Sequence, residues 1–451
     1  MVDKYITSFF AYGISILFPF SLLNAESFTL TDCILWALEN KKTVISQKLN
    51  IEIAKKDVEG AYSNFKPSIQ LFSNKNYLNI PERVEIISIF NDTFNDTIRT
   101  SSTESFSAGI SLNQKIFNGG RSANQVSLAK KNLNIALLRK RILVTQVIQD
   151  VIESYYSLLK AQELFSVSEK SLEMSTQRVE LIKKQFDLGV IKKSDLLKAQ
   201  VSLGQAKVDL LNSKTNLSNY RRVLFNSIGI QDFGQEVIIN TEAWVMPDVL
   251  TSSEILKYIK TKNPSVLIAG LQIKLSSTNY KLARGLRLPV LNSGLSFSAG
   301  GEKRNDFVKA FKEDWRFGID FSLTVPIYTG NTLSLNEQKI KLSIRQAKNN
   351  QITLINDLRV QAELIKELLN NYEEIIPLNE SVVESSKEDL KLVTKRYALG
   401  SATILEVLDA QVSLTRSNSA LINIIYDARI KEFTLDALIG LLDTKYITRE
   451  N

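Results

Sequence analysis

The sequence predicts a mixed α and β fold in which two tandem copies of one unit each contribute two strands and a long antiparallel helical hairpin. Three observations carry this prediction: an internal repeat, stretches with an apolar residue at every second position, and apolar residues at seven-residue spacing over very long stretches. Within each copy we expect, in order, a helix, two strands, a long helix and a shorter helix.

The internal repeat is a segment that begins at Phe186 and recurs in degenerate form from Tyr397, an offset of 211 residues. The same offset relates the stretches 116–119 and 327–330. A repeat this long, present in two copies, indicates two homologous halves of one architecture and not a solenoid of short units. We therefore expect a signal peptide at 1–25, a first structural repeat at 26–240 and a second at 241–451.

Further upstream the halves differ in length. Pro67 matches Pro289, an offset of 222 residues, so the first half carries 11 extra residues before the two halves come back into register. We expect this insertion to be a loop.

The composition excludes most catalytic and metal chemistry. The chain has 451 residues, is 44% hydrophobic and 23% charged, and contains no histidine, which removes the usual general base and the commonest metal ligand. The single cysteine, Cys33, is expected to be a small buried apolar residue. We therefore expect no enzyme activity, no catalytic residue, no cofactor and no metal site. The net charge of +8 is spread along helical faces without an aromatic-rich basic patch, so no nucleic-acid partner is expected.

The N-terminus is typical of a secretory signal peptide. Lys4 precedes an apolar run from Tyr5 to Leu23, and the small residue Ala25 is followed by polar residues. The alternative of an uncleaved membrane anchor stays open on length. After this leader no apolar run is long enough for a membrane-spanning helix, so any insertion into a bilayer would depend on strands.

Four strands are predicted, two in each half. Between Trp315 and Ile327 apolar residues occupy every second position, and the stretch from Phe106 to Leu112 alternates in the same way. Earlier strands are expected to begin near Ser68 and Val290.

Long helices follow the strands. Between Arg121 and Phe186 no proline occurs and apolar residues recur in heptads, so a continuous helix of about 100 Å is expected at 1.5 Å per residue. Gly189 and Gly400 follow the long helices of the two halves and are the predicted hairpin turns. The next helix of the first half is expected to start near Ser194 and Asp195, which are both good N-cap residues. The segments from Leu30 to Phe65 and from Ser253 to Leu286 also have helical patterns.

These features together resemble the TolC-like outer-membrane efflux proteins, or channel-tunnels. The resemblance covers the mature chain and rests on the two-copy plan, on the strand ends at 117–120 and 328–330, and on the hairpin motif at 396–400 and 408–411. It implies a mixed α and β membrane protein, in which long antiparallel helical hairpins form an α-barrel. The four strands of each chain would contribute to a trimeric 12-stranded transmembrane β-barrel.

The resemblance also implies a function and partners. A homotrimer in the cell outer membrane, in contact with its lipid and extending into the periplasm, would passively conduct small molecules or proteins out of the cell. It would be the exit duct of a tripartite efflux or type I secretion system, working with a periplasmic adaptor (membrane fusion) protein and an inner-membrane transporter. The alternative is a periplasmic coiled-coil scaffold or adaptor protein. The sequence identifies neither the cargo nor the transporter.

Candidate site residues follow from the family's motif positions. Glu406 and Asp409 match the acidic ring of the periplasmic aperture, whereas the alternative is that both are ordinary exposed acids in the first turns of a helix. Ser194, Asp195 and Tyr397 match closed-state contacts between hairpins, where Tyr397 could donate to a carboxylate. The sequence departs from the family's pattern at one position of the latch: Ala402 replaces an arginine, and Lys192 and Lys193 in the other hairpin are candidate substitutes.

Overall fold

A computed structural model describes residues 28–78, 83–89, 92–98, 103–230, 250–301 and 307–447. The predicted signal peptide at 1–25 and the predicted boundary between the repeats at 240 and 241 lie outside these residues. The helices are α1 Leu30–Asn40, α2 Lys42–Tyr62, α3 Arg121–Asp187, α4 Lys193–Ile228, α5 Ser252–Thr261, α6 Pro264–Gly285, α7 Phe307–Glu313, α8 Thr332–Ala398, α9 Ile404–Ile439 and α10 Leu442–Ile447. The strands are β1 Ser68–Leu78, β2 Arg83–Ile89, β3 Asp92–Ile98, β4 Thr103–Asn118, β5 Val290–Gly301 and β6 Trp315–Thr324.

The long helical hairpins are confirmed. The helices α3 and α8 each have 67 residues, and the helices α4 and α9 each have 36. Both pairs start 211 residues apart, at Arg121 and Thr332 and at Lys193 and Ile404. The heptads therefore predicted the lengths of these helices, because an uninterrupted apolar seam can be buried along a whole helix. None of the helices within the described ranges combines the length and hydropathy needed to cross a bilayer.

The chain divides into two compact units. The first is assembled from Met1–Lys41, Val147–Val249 and Glu367–Thr434, and it contains α1, α4, most of α9 and the C-terminal parts of α3 and α8. In this unit α1 begins with a capping box in which the Thr29 and Asp32 side chains each accept a bond from the other's backbone N–H. Its Cys33 is buried, as expected.

The second unit is assembled from Lys42–Gln146, Leu250–Lys366 and Leu435–Asn451, and it contains an antiparallel four-stranded sheet. The strand order is β1-β4-β5-β6, so β1 and β6 are the edges. The register places one apolar residue from each strand in a row across the sheet: Leu71, Ile110, Phe297 and Phe317. All four side chains are exposed, and so are the alternating apolar residues along β6. One face of the sheet is therefore apolar and largely exposed, with Phe311 of α7 beside Phe297.

The insertion of the first half is not the predicted loop. It contains the antiparallel hairpin of β2 and β3, which lies between β1 and β4 in the chain and forms a separate two-stranded sheet. The β-branched residues Val84, Ile86, Ile87 and Ile89 favour a strand here. In the second half the short helix α7 lies between the corresponding strands.

The helices that precede the strands are each broken into two. The first predicted segment is interrupted at Lys41, whose extended backbone ends α1. The second is interrupted at Asn263, whose side chain caps α6 by accepting from the N–H groups of Ser265 and Val266, and Pro264 occupies the first helical position. Proline at that position starts a helix readily but would remove a backbone donor from the interior of one continuous helix.

Candidate functional site: the ends of the helical hairpins

Both hairpin ends lie in the first unit, and an apolar core joins them. The core combines residues of α3, α4, α8 and α9: Ile182, Ala199, Leu390, Val393, Ile404, Val407 and Ala410. Ala402 and Tyr397 pack against the same core. Because each hairpin supplies two helices to one core, the position of either tip depends on the other.

The two turns have the same backbone geometry. Gly189 and Gly400 both have φ 75°, in the left-handed region. The N–H of the following residue donates to the carbonyl five positions back, from Val190 to Gln185 at 2.9 Å and from Ser401 to Arg396 at 2.9 Å. A Cβ at either glycine would meet no atom within 4 Å, so the backbone angle and not the available space requires glycine.

The start of α9 is capped reciprocally. Thr403 Oγ1 accepts from the Glu406 N–H at 3.3 Å, and Glu406 Oε1 accepts from the Thr403 N–H at 3.0 Å and from its hydroxyl at 3.0 Å. Arg396 Nη1 lies 3.7 Å from Glu406 Oε2. These bonds from Thr403, and secondarily the charge of Arg396, hold the pKa of the Glu406 carboxyl below its ordinary value.

Asp409 follows Glu406 by three residues on α9 and is exposed, whereas Glu406 is only partly exposed. Positions three apart on a helix are neighbours on its surface. The two candidate aperture carboxylates therefore occupy one side of α9, close to the turn at Gly400. Their role in an aperture stays a prediction.

The start of α4 differs from the prediction. The N-cap is Lys192, without a side-chain capping bond, and the helix begins at Lys193, so Ser194 and Asp195 lie inside the first turn. The helix therefore starts one residue before Ser194, although Ser194 and Asp195 are the better capping residue types. Ser194 Oγ donates to Asp195 Oδ1 at 3.4 Å, and both Lys192 and Lys193 are exposed.

Within the chain, Tyr397 joins the two hairpins through an amide, and a closed-state bond from Tyr397 to a carboxylate stays a prediction. Its hydroxyl donates to Gln185 Oε1 at 3.2 Å, across from α8 to α3. Burial raises the pKa of the Tyr397 hydroxyl, and the charge of Asp195 raises it further. Asp195 is therefore near Tyr397 but is not its hydrogen-bond partner within the chain.

Arg178 belongs to the same cluster and was missed by the sequence reasoning. Burial lowers the pKa of its guanidinium, with an opposing contribution from Tyr397, and within the described part of the chain its buried Nε has no hydrogen-bond partner. Arg178 lies seven residues before Gln185, so both flank the heptad seam on one side of α3. The seven-residue spacing could have indicated that Arg178 and Gln185 share one side of α3. Polar residues beside a heptad seam are usually exposed to solvent, however, so the spacing alone did not indicate burial.

An open cavity lies next to this core, between α3, α4 and α9. It has a volume of about 260 Å³ and a mixed lining, in which serine, threonine, glutamine, aspartate and arginine side chains lie beside Ala206 and Val412. Gln411 is 3% exposed, and its Nε2 donates to Ser175 Oγ at 2.9 Å and to the Ser171 carbonyl at 3.3 Å. This contact fixes α9 against α3. In the described ranges no group of three or more His, Cys, Asp or Glu side chains could hold a metal ion.

Comparison with known proteins identifies the family. The family model described as outer membrane efflux protein matches residues 34–229 and 256–441. Among curated proteins, the outer membrane protein TolC of Vibrio cholerae is 24% identical over 353 residues, which is 76% of this chain and 79% of that protein.

Solved structures show the same fold. A crystal structure of CusC matches with a TM-score of 0.78 at 17% identity and covers 91% of this chain and 92% of its own. The outer membrane protein VceC of Vibrio cholerae matches with a TM-score of 0.76 at 15% identity and covers 91% of this chain and 96% of its own. The fold of the chain is that of these outer-membrane channels, with long helical hairpins and a four-stranded antiparallel sheet.

The two matched segments together cover most of the chain, and each contains one helical hairpin. This result decides between the duct and the scaffold or adaptor alternative in favour of the duct, and it places the protein in the outer membrane with a periplasmic tunnel. The chain belongs to the outer membrane efflux protein family.

Proposed function

We propose that three copies of this chain form a passive exit duct across the outer membrane and periplasm, within a tripartite efflux or type I secretion system. The observation that carries the proposal is the four-stranded sheet, which has an exposed apolar face and two edge strands. A sheet with these properties suits a bilayer only if its edges are paired.

Pairing the edges requires other copies of the chain. Four strands are too few to close a barrel around a pore, but joining β6 of one copy to β1 of the next gives twelve strands from three copies. Closure would place the exposed apolar row of each sheet on the outside, against lipid, and would leave no strand edge unpaired. The duct would be passive, as the resemblance to outer-membrane channel proteins implies.

The energy source would therefore be an inner-membrane transporter, coupled through a periplasmic adaptor protein. The helical hairpins would form the periplasmic part of the duct, and their ends would form its inner opening. Support comes from the turns at Gly189 and Gly400 and the core that joins the two tips. Cargo selection would belong to the transporter.

We further propose that Glu406 and Asp409 ring the aperture, and that Ser194, Asp195 and Tyr397 take part in its closed state. Three copies would bring six carboxylates to one opening and attract cations electrostatically. With Ala402 in place of an arginine, the contact between Tyr397 and Gln185 would hold the two hairpins of one copy together.

Purification in detergent followed by recording in planar bilayers tests the proposal. We expect a trimer by mass measurement that requires detergent for solubility and gives discrete conductance steps when added to a bilayer. A monomer that stays soluble without detergent and gives no conductance would contradict the duct, and would revive the scaffold alternative.

A further inference from the structure

Charge is distributed unequally along the two long helices. The part of α3 that belongs to the second unit, residues 121–146, carries six basic residues and no acidic one, whereas residues 147–187 carry five basic and seven acidic residues. The repeat partner α8 changes in the same direction: residues 332–366 carry six basic and three acidic residues, and residues 367–398 carry four basic and seven acidic residues. Both helices are therefore basic in the unit that contains the four-stranded sheet and acidic in the other unit.

The helix α6 adds to the positive charge of the second unit. It carries three basic residues and no acidic one, whereas α2 is nearly neutral, with four basic and three acidic residues. The acidic residue nearest to the start of α8 is Glu337, and its Oε1 lies 2.6 Å from Arg287 Nε. Because Arg287 already balances this carboxylate, the lysines and arginines of α3, α6 and α8 give the unit a strong excess of positive charge.

These three helices meet the same end of the four-stranded sheet. The strand register pairs Asn118 with Val290 and Val290 with Thr324. The helix α3 begins directly after β4, α6 ends just before β5, and α8 begins after β6. We define the basic surface as six basic residues on these helices that lie within about 15 Å of the helix ends next to the sheet, at 1.5 Å per residue: Lys130, Lys131, Lys281, Arg284, Lys339 and Lys341.

Contacts between the helices make the basic surface continuous. Lys341 Nζ lies 5.5 Å from the centre of the Tyr280 ring, which joins α8 to α6. Between α3 and α6, burial lowers the pKa of Lys131, and the charges of Lys281 and Lys274 lower it further. All members of the basic surface except Lys131 are exposed. Positive groups from three helices therefore lie close to one another at the protein surface, where a bound anion would relieve their repulsion.

We propose that the basic surface binds the phosphate groups of anionic phospholipids at the periplasmic face of the outer membrane. This inference rests on the proposed duct, in which the exposed apolar face of the sheet meets lipid, and it adds a class of lipid to that contact. The hydrocarbon core of a bilayer is about 30 Å thick, and the headgroup regions extend it to about 40–45 Å. Lysine side chains just beyond the sheet reach these headgroups, and each positive charge near an anionic membrane strengthens association roughly fivefold.

The repeat favours a lipid over a soluble anion as the partner. Lys130 and Lys341 are equivalent positions of the two halves, and each ammonium lies 5.5 Å from the centre of a tyrosine ring, that of Tyr62 for Lys130 and that of Tyr280 for Lys341. Since both halves contribute in the same way, three copies would present such cations at six places around the duct. A shell of lipid surrounds a membrane protein in this way, whereas a single soluble anion would occupy one place.

The test compares two spin-labelled lipids as the lipids in contact with the protein, phosphatidylglycerol and phosphatidylcholine. The full chain is reconstituted in phosphatidylcholine bilayers, and electron paramagnetic resonance measures the fraction of each labelled lipid whose motion the protein restricts. We expect a preference for phosphatidylglycerol of roughly twofold to fivefold, which decreases as salt is raised because salt screens exposed charges.

The test variant replaces four exposed lysines of the basic surface by glutamine. The substitutions are Lys130→Gln, Lys281→Gln, Lys339→Gln and Lys341→Gln. This variant should restrict the two lipids nearly equally, whereas the four corresponding Lys→Arg substitutions should keep the preference because they keep the charge. The matched control removes the same charge from exposed lysines of the first unit and should also keep the preference: Lys170→Gln, Lys198→Gln, Lys207→Gln and Lys214→Gln.

Several results would overturn the inference, and they differ in their consequence for the duct. If the unaltered protein restricts both lipids equally, or if the matched control loses the preference as fully as the test variant, the basic surface does not select anionic lipid and the duct stands. The same conclusion follows if the test variant keeps its lipid preference but loses binding to peptidoglycan, an anionic polymer. If the protein restricts the motion of neither lipid, it is not inserted in the bilayer, and the proposed duct fails together with the inference.

Discussion

The hydroxyl of Tyr397 makes a direct hydrogen bond between the two hairpin ends. Its bond to Gln185 at 3.2 Å is one hydrogen bond between helices that are far apart in sequence. Tyr397→Phe keeps the ring in the core but removes this hydrogen bond, which contributes about 1 kcal/mol to the free energy of the contact. We expect larger or more frequent openings in planar-bilayer recordings.

The control for this prediction is a double-mutant cycle. Gln185→Ala removes the other partner, so the double variant should open about as often as either single variant. Independent, additive effects of the two substitutions would show that the hydrogen bond does not hold the ends together.

Glu406 should make the start of α9 sensitive to acid. Its pKa is lowered by the bonds from Thr403, so its contribution to the cap is complete above the ordinary value of 4.5 and is lost as the pH falls through the lower folded value. Hydrogen exchange at residues 404–407, relative to intrinsic rates, should therefore increase below that pH. In Glu406→Gln, which has no carboxyl to titrate, the same segment should show no such pH step, and a step of equal size would contradict the assignment.

Sequence reasoning identified parts of this cluster but not its pairing. Tyr397 and Asp195 were found from the hairpin motif, whereas Gln185 is 212 residues away from Tyr397 in the chain. A hydrogen bond between such positions depends on how two helices pack, and no local preference encodes it. Arg178 was missed for the same reason, since its burial follows from the neighbouring hairpin and not from its own helix.

At the scale of an element, the two turns depend on glycine for their backbone angle. Gly189→Ala and Gly400→Ala should each destabilise the turn by about 1 kcal/mol, because an L residue is strained at φ 75°. Gly204→Ala is the matched control: this glycine lies inside α4, where an added Cβ meets nothing within 4 Å, and alanine favours the helix. Limited proteolysis should cut faster at the turns of the first two variants and no faster in the third.

Substitutions on the two faces of strand β6 should have different effects on assembly. Phe321 is 69% exposed on the apolar face, whereas Ser322 points the other way. If the apolar face meets lipid, Phe321→Arg should cost about 2–4 kcal/mol near the bilayer centre, and Ser322→Arg should cost much less. The yield of trimer in outer-membrane fractions measures the difference, and equal yields would exclude a lipid-facing role for this face.

Helices and strands were predictable from the sequence where one pattern of apolar residues extended over a long stretch. Seven-residue spacing indicated both long helices, and alternation indicated β4 and β6, because burial on one side imposes a period on the sequence. The hairpin of β2 and β3 was missed, since the insertion was judged by its absence from the second half and not by its β-branched residues. The break at Lys41 was missed because no proline or glycine marks it.

At the scale of the whole molecule, the proposed trimer multiplies the charges at the hairpin ends. Glu406 and Asp409 would occur three times each, so Glu406→Gln with Asp409→Asn would remove six negative charges while preserving side-chain shape. We expect weaker cation selectivity, measured as the reversal potential in a salt gradient, and weaker block by multivalent cations. The matched control is Glu384→Gln with Glu388→Gln, which removes the same charge from exposed positions on α8. Since a field is focused only where charges surround a narrow opening, the control should leave selectivity nearly unchanged; equal changes from both pairs would place the aperture elsewhere.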